Sequence, residues 1–158
     1  MNTMRRNDKE IQDRQIMEEI LTKSFICRIA MMDRDQPYIV PLNYGYLNGS
    51  IYIHGAAEGK KLELLRKNNR VCFEIEQHAE IIKSDSPCGW STRYRSIIGY
   101  GTIDFITDFD QKKQGLDIIM AHYGKTENIV YNDSQVQSIV ILRLKINQMT
   151  CKQSGDWQ

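Results

Sequence analysis

PLNYGYLNGSIYIHGAAEGKKLELLRKNNRVCF, residues 41–73, decides the fold of this chain. Two alternating runs, Tyr44-Gly45-Tyr46 and Ile51-Tyr52-Ile53, flank Asn48-Gly49. That pair is a strong hairpin signal, because a two-residue type I′ turn needs positive φ at both positions. The chain then turns through Gly55-Ala56-Ala57-Glu58-Gly59 and a helix starts at Lys60-Lys61. Small residues at such a corner let a ligand approach the backbone. Two ammonium groups beside the N–H donors of a helix start favour an anion such as phosphate.

Outward from this stretch, residues 7–23 predict a polar helix whose apolar face is Ile16, Met17, Ile20 and Leu21. Residues 25–32 read as a strand, 33–37 as a turn and 38–46 as the next strand, with Pro41 inside it. Proline removes a ladder donor, so Pro41 marks a bulge, an edge or a place where the strand opens to a ligand. The hairpin partner (51–54), a helix (60–68) and a strand (70–77) follow, then a Ser/Asp/Pro/Gly loop at 83–89. Residues 92–108 form a long β segment interrupted by Gly99-Tyr100-Gly101, the mark of a bulge or barrel corner. Helical spacing returns over 108–123 with Asp108 as N-cap. A polar loop (124–134), a last strand (136–146) and a loosely ordered tail (153–158) complete the chain. About six antiparallel strands, with three helices that do not alternate regularly with them, argue against a βαβ array. The pattern fits a mainly β fold, a small barrel with peripheral helices, as a single domain over 1–158.

At 158 residues the chain is long enough for one real core. A net charge of +1 supplies no field to draw nucleic acid or a membrane surface. No apolar run approaches the roughly 20 residues of a membrane span, and no apolar core follows the basic N-terminus as in a signal peptide. The expected compartment is the cytoplasm. Four cysteines lie far apart, with no C-x-x-C and no histidine at metal spacing, so they read as reduced thiols and no metal is expected. His78 and His122 belong to no constellation and read as structural or surface residues.

Four pieces occur in order: V-P-L-N-Y (40–44), I-Y-I-H-G-A-A-E-G-K-K-L (51–62), N-N-R-V-C-F (68–73) and W-S-T-R-Y-R-S-I-I-G-Y-G-T (90–102). Together they resemble the FMN-binding split-barrel proteins related to pyridoxamine 5′-phosphate oxidase, and within them the nitroimidazole-resistance branch. The resemblance implies a split β-barrel that binds FMN and forms a homodimer with FMN at the subunit interface. Lys60 and Lys61 stand where that family holds the FMN phosphate, through charge-assisted hydrogen bonds of roughly 1.5–3 kcal/mol each. Pro41, Leu42, Asn43 and Tyr44 match the strand along which the flavin ring rests, bonded by backbone N–H and C=O groups. His54 matches a position beside the phosphate and ribityl chain or the open ring face, and is the candidate catalytic residue. Arg95 and Ser96 match residues of the neighbouring long strand that approach the cofactor. Trp90 and Tyr94 fit either direct flavin contact, from the partner's side, or barrel and interface packing.

The activity so implied is an FMN-dependent oxidoreductase reducing nitroaromatic, 5-nitroimidazole-like compounds by two-electron transfer. Its electrons would come from NAD(P)H or a separate reductase, since no G-x-G-x-x-G fingerprint is present. The alternatives are a non-catalytic flavin-binding or redox-sensing module, haem or deazaflavin on the same barrel, and a pyridoxamine-phosphate-oxidase-like enzyme. Against the last, those oxidases close with an Arg- and Trp-containing tail that grips substrate phosphate, whereas this chain ends KINQMTCKQSGDWQ. Cys151 also stands where the related chains tend to have glycine.

Overall fold

A computed structural model describes residues 6–157, without the side chain of His78. Residues 1–5 and 158, the ends of the expected domain, lie outside them. The elements are β1 (Glu10–Ile11), α1 (Arg14–Lys23), β2 (Ile26–Asp33), β3 (Gln36–Asn43), β4 (Gly45–Leu47) and β5 (Ser50–Ala56). They continue with α2 (Lys60–Lys67), β6 (Arg70–Ile82), β7 (Ser91–Ile106), α3 (Phe109–His122), α4 (Asp133–Ser138) and β8 (Ile139–Ser154).

The strands pair antiparallel in the order β3-β2-β6-β7-β8-β5-β4, with β1 added to β8. The two ends of that path, β3 and β4, are separated in sequence by one residue, Tyr44. Residues two apart cannot lie farther than about 7 Å from one another. The sheet must therefore curl until those two strand ends meet at Tyr44, giving a barrel whose β3 and β4 edges do not pair along the seam. This is the split barrel. Inner faces supply Cys27, Ile29, Phe73, Ile75, Ile97 and Ile103, all almost fully buried. At the Tyr44 end, α1 closes the interior with Ile20 and Leu21; at the Asp33 end, α2 closes it with Leu62 and Leu65.

The Asn48-Gly49 hairpin forms as expected, with φ of 47° and 74°. The corner at residues 99–101 is also present, and sterics explain it. A Cβ on Gly99 would lie 2.4 Å from the Phe73 ring, and one on Gly101 would lie 2.2 Å from the Lys145 carbonyl. Tyr100 pairs with Gln148 and Gly101 with Ile146, so Asn147 bulges out unopposed.

Four expectations need correction. The N-terminal helix runs over Arg14–Lys23 rather than 7–23, because Asp13 caps it by accepting from the Gln15 N–H and Glu10–Ile11 joins the sheet. Among the described residues the strands number eight rather than about six, because Glu10–Ile11 adds one and Tyr44 divides the stretch 38–46 in two. The loop over 124–134 gives way to the short helix α4, capped by Asn132. The tail is tied down: Gln153 and Ser154 belong to β8, and Trp157 packs on Arg95. His122 is structural, its ring 2.6 Å from the Ser24 carbonyl and against Tyr44. All four cysteines are free thiols.

Candidate functional site

The corner before α2 presents an anion cradle. Gly59 adopts φ 120°, and its carbonyl accepts from the Leu62 and Glu63 N–H groups. The N–H groups of Lys60 and Lys61 find no acceptor among the described residues. Lys60 reaches across to the β2–β3 turn, with Nζ 2.7 Å from Asp33 Oδ2 and 4.6 Å from the centre of the Tyr38 ring. That bond holds the Asp33 carboxyl below its usual range and raises the Lys60 ammonium. Lys61 is half-buried above Gly55, 3.5 Å from where a Cβ on that glycine would sit. It has no ion-pair or hydrogen-bond partner among the described residues, and burial pulls its pKa down. A phosphate here would meet two free amides, one unpaired ammonium and one ammonium shared with a carboxylate. These groups fit a phosphate.

Along β3 the residues expected to seat a flavin ring divide by face. Pro41 and Asn43 lie on the outer side, opposite Arg28 and Ile26; Leu42 faces inward opposite Cys27. Tyr44 is fully buried and its hydroxyl donates to the Leu21 carbonyl at 2.8 Å, so the core holds its side chain. On β7 the same alternation parts Ser96 from Arg95. Ser96 lies on the outer face between Glu76 and Lys152. Arg95 points inward between Gln77 and Gln153, 3.8 Å from Glu19, with its guanidinium 4.0 Å from the Trp157 ring. His54 is exposed on β5 opposite Ile141, and Trp90 is exposed just ahead of β7. Tyr94 is half-buried opposite Ser154. Pro41, Asn43 and Ser96 thus share the outer face, while the two lysines sit at the α2 start. Leu42, Tyr44 and Arg95 are turned away from both.

The outer face of β3-β2-β6-β7 is unusually apolar. Ile26, Ile39, Ile98 and Tyr100 are between 39% and 59% exposed on it. A cavity of about 610 Å³ opens beside this patch, lined among others by Met32, Pro37, Arg70, Tyr100, Asn147 and Gln148. It adjoins the hairpin end where Lys60 meets Asp33. The sequence reading did not reach this cavity. The signal for it was the Gly-Tyr-Gly corner, whose Tyr100 and Gly101 line it opposite the bulged Asn147.

The family described as pyridoxamine 5′-phosphate oxidase matches residues 13–153. A crystal structure from Bacteroides thetaiotaomicron, provisionally described as a 5-nitroimidazole antibiotic resistance protein, is 34% identical. The similarity covers 90% of this chain and 85% of that one, with a TM-score of 0.80. The FAD and heme binding protein of Mycobacterium smegmatis shares the fold at a TM-score of 0.84. It is 22% identical, over 94% of this chain and 75% of that one. An uncharacterised protein of Rhizobium meliloti (strain 1021) is 28% identical over 69 residues, which are 44% of this chain and 45% of that protein's length. Among the described residues no helix is long and apolar enough to cross a membrane.

Proposed function

The chain belongs to the pyridoxamine 5′-phosphate oxidase family, and from that premise we propose that it is an FMN-dependent oxidoreductase acting on nitroaromatic compounds. The observation that carries the flavin reading is the half-buried, unpaired ammonium of Lys61 beside two free N–H groups and two glycines. A half-buried cation with no partner has lost part of its hydration, and an anion brought to it offsets that loss. Lys60 and Lys61 hold the phosphate, and the backbone of residues 41–44 lines the ring. Ser96 contributes from the outer face. His54 stands exposed in β5, the strand that leads into the α2 corner, where it can serve the open face. The exposed apolar residues Ile26, Ile39 and Ile98 of the outer face are the surface through which two copies join, leaving the cofactor between them and Tyr100 at the rim. Similarity to the Bacteroides protein supports the choice of acceptor class.

When bound, the flavin would supply two-electron chemistry between a nicotinamide or reductase donor and the acceptor. With two protons those electrons take a nitro group to nitroso and release water. The protein's share is to bind, orient and exclude water.

The test is direct. Purified protein is expected to be yellow and to release FMN identified by mass. With a reductant under anaerobic conditions it is expected to consume a 5-nitroimidazole faster than the same concentration of free FMN. A colourless protein that takes up no flavin would sink the reading. A flavoprotein no faster than free FMN would be a binding module rather than a reductase.

A further inference from the structure

The cavity on the outer face uses none of the residues assigned to the flavin, although β3 and β7 contribute to both. Its shape comes from the Gly99–Gly101 corner of β7 and the bulge at Asn147, a pairing of bend and bulge that commonly borders binding sites. Its volume of about 610 Å³ lies inside the range of small-molecule sites. Its apolar lining includes Met32, Pro37 and Tyr100, with Met32 48% and Tyr100 53% exposed. Its polar lining includes Thr102, Asn147 and Gln148.

Arg70 is the only charged group among the twelve residues lining the cavity. Its guanidinium has no hydrogen-bond or ion-pair partner among the described residues; only its backbone N–H is engaged, donating to Asn68 Oδ1. Two cations beyond the lining are already paired: Lys145, opposite Thr102, with Asp104 at 2.8 Å, and Lys60 with Asp33 at 2.7 Å. Apolar and aromatic side chains lining one cavity with a single unpaired guanidinium and two amides have a complementary ligand. That ligand is a planar ring carrying a single carboxylate, stacked on Tyr100 and Met32 and gripped bidentately by Arg70.

We propose that this cavity is a binding site for aromatic monocarboxylates, with Arg70 as its selectivity residue. The assignment does not need the flavin reading to hold.

Equilibrium dialysis of the full-length protein, with whatever cofactor it carries, against 4-nitrobenzoate and against nitrobenzene provides the test. The carboxylate is expected to bind about tenfold more tightly, the ratio one charge-assisted hydrogen bond supplies. Arg70→Gln is expected to abolish that preference and leave nitrobenzene binding unchanged. Tyr100→Ala is expected to weaken both ligands. Equal affinity of the wild-type protein for the two probes, an unchanged preference in Arg70→Gln, or no binding of either would each overturn the assignment. A protein that fails to bind FMN yet prefers the carboxylate would refute only the flavin reading. A flavoprotein without the preference would refute only this one.

Discussion

At the scale of single residues, the two lysines expected to act alike are in different electrical states. Lys60 already has a carboxylate and an aromatic ring for company, whereas Lys61 has neither. Lys61→Ala is therefore expected to weaken FMN binding by about 10- to 100-fold while leaving riboflavin, which lacks the phosphate, unaffected. Fluorescence titration of both flavins checks this, and equal losses for the two would remove Lys61 from the phosphate site. Asp33 competes with a bound phosphate for Lys60, so Asp33→Asn is expected to tighten FMN binding a few-fold, about what an exposed ion pair is worth. The gain should vanish in an Asp33→Asn, Lys60→Ala double variant; a gain that persists would mean Asp33 acts by another route. Tyr44 offers a contrast. Tyr44→Phe leaves the Leu21 carbonyl without its donor and is expected to cost about 1–2 kcal/mol in urea unfolding, with flavin affinity unchanged. Adjacent strand residues cannot share a face, and that rule alone parts Arg95 from Ser96 and Leu42 from its neighbours. Matching residues along a motif does not apply it.

At the scale of elements, close approaches between secondary structures depend on glycine. A Cβ on Gly45 would lie 2.6 Å from the Ile119 Cα, so α3 packs its backbone onto β4 with no room for a methyl group. Gly45→Ala is expected to cost about 1–3 kcal/mol, the usual range for overpacking, read as a lower urea midpoint. Gly49→Ala, at φ 74° but in open space, tests strain without a clash. Local signals made much of the fold legible. The Asn-Gly turn, the alternating strands, the Asp108 cap and the Gly-Tyr-Gly corner each rest on backbone chemistry that a few residues determine. Less visible was whatever distant pairing decides. Glu10–Ile11 becomes a strand only because Lys152 and Cys151 lie beside it, and β8 runs on to Ser154 because β7 offers it an edge. The candidate site divides the same way. The α2 corner is contiguous in sequence and could be read, but the cavity draws on five strands and could not. Trp157 on Arg95 was likewise hidden, since it joins residues 62 positions apart, from 95 to 157.

For the whole molecule, two properties can be measured without any ligand. Asp33 and Asp104 have carboxyls held below their ordinary range, by Lys60 and by Lys145 with Arg143 respectively. A carboxyl depressed by folding contributes its full share of stability above its unfolded pKa and loses it as pH falls through the folded value. Urea midpoints are thus expected to hold from neutrality down to about pH 5 and to fall below about pH 4. Asp104→Asn should make that fall shallower; an unchanged slope would show that this cluster is fully screened. Two copies are expected to sediment as a dimer, and Ile98→Lys to yield monomer that has lost most of its FMN. A monomer that still binds FMN fully would place the cofactor within one chain. The open seam bears on solubility. β3 has eight residues and, among the described residues, is paired on one side only, the kind of template on which a stray chain adds a strand and seeds a fibril. Pro37 and Pro41 remove two of its amide donors, and β4 across the seam is only three residues long. Replacing both prolines by threonine is expected to leave the melting temperature nearly unchanged but to hasten clumping on storage. The residue that marks a flavin seat in the sequence would then also be a guard against fibre growth.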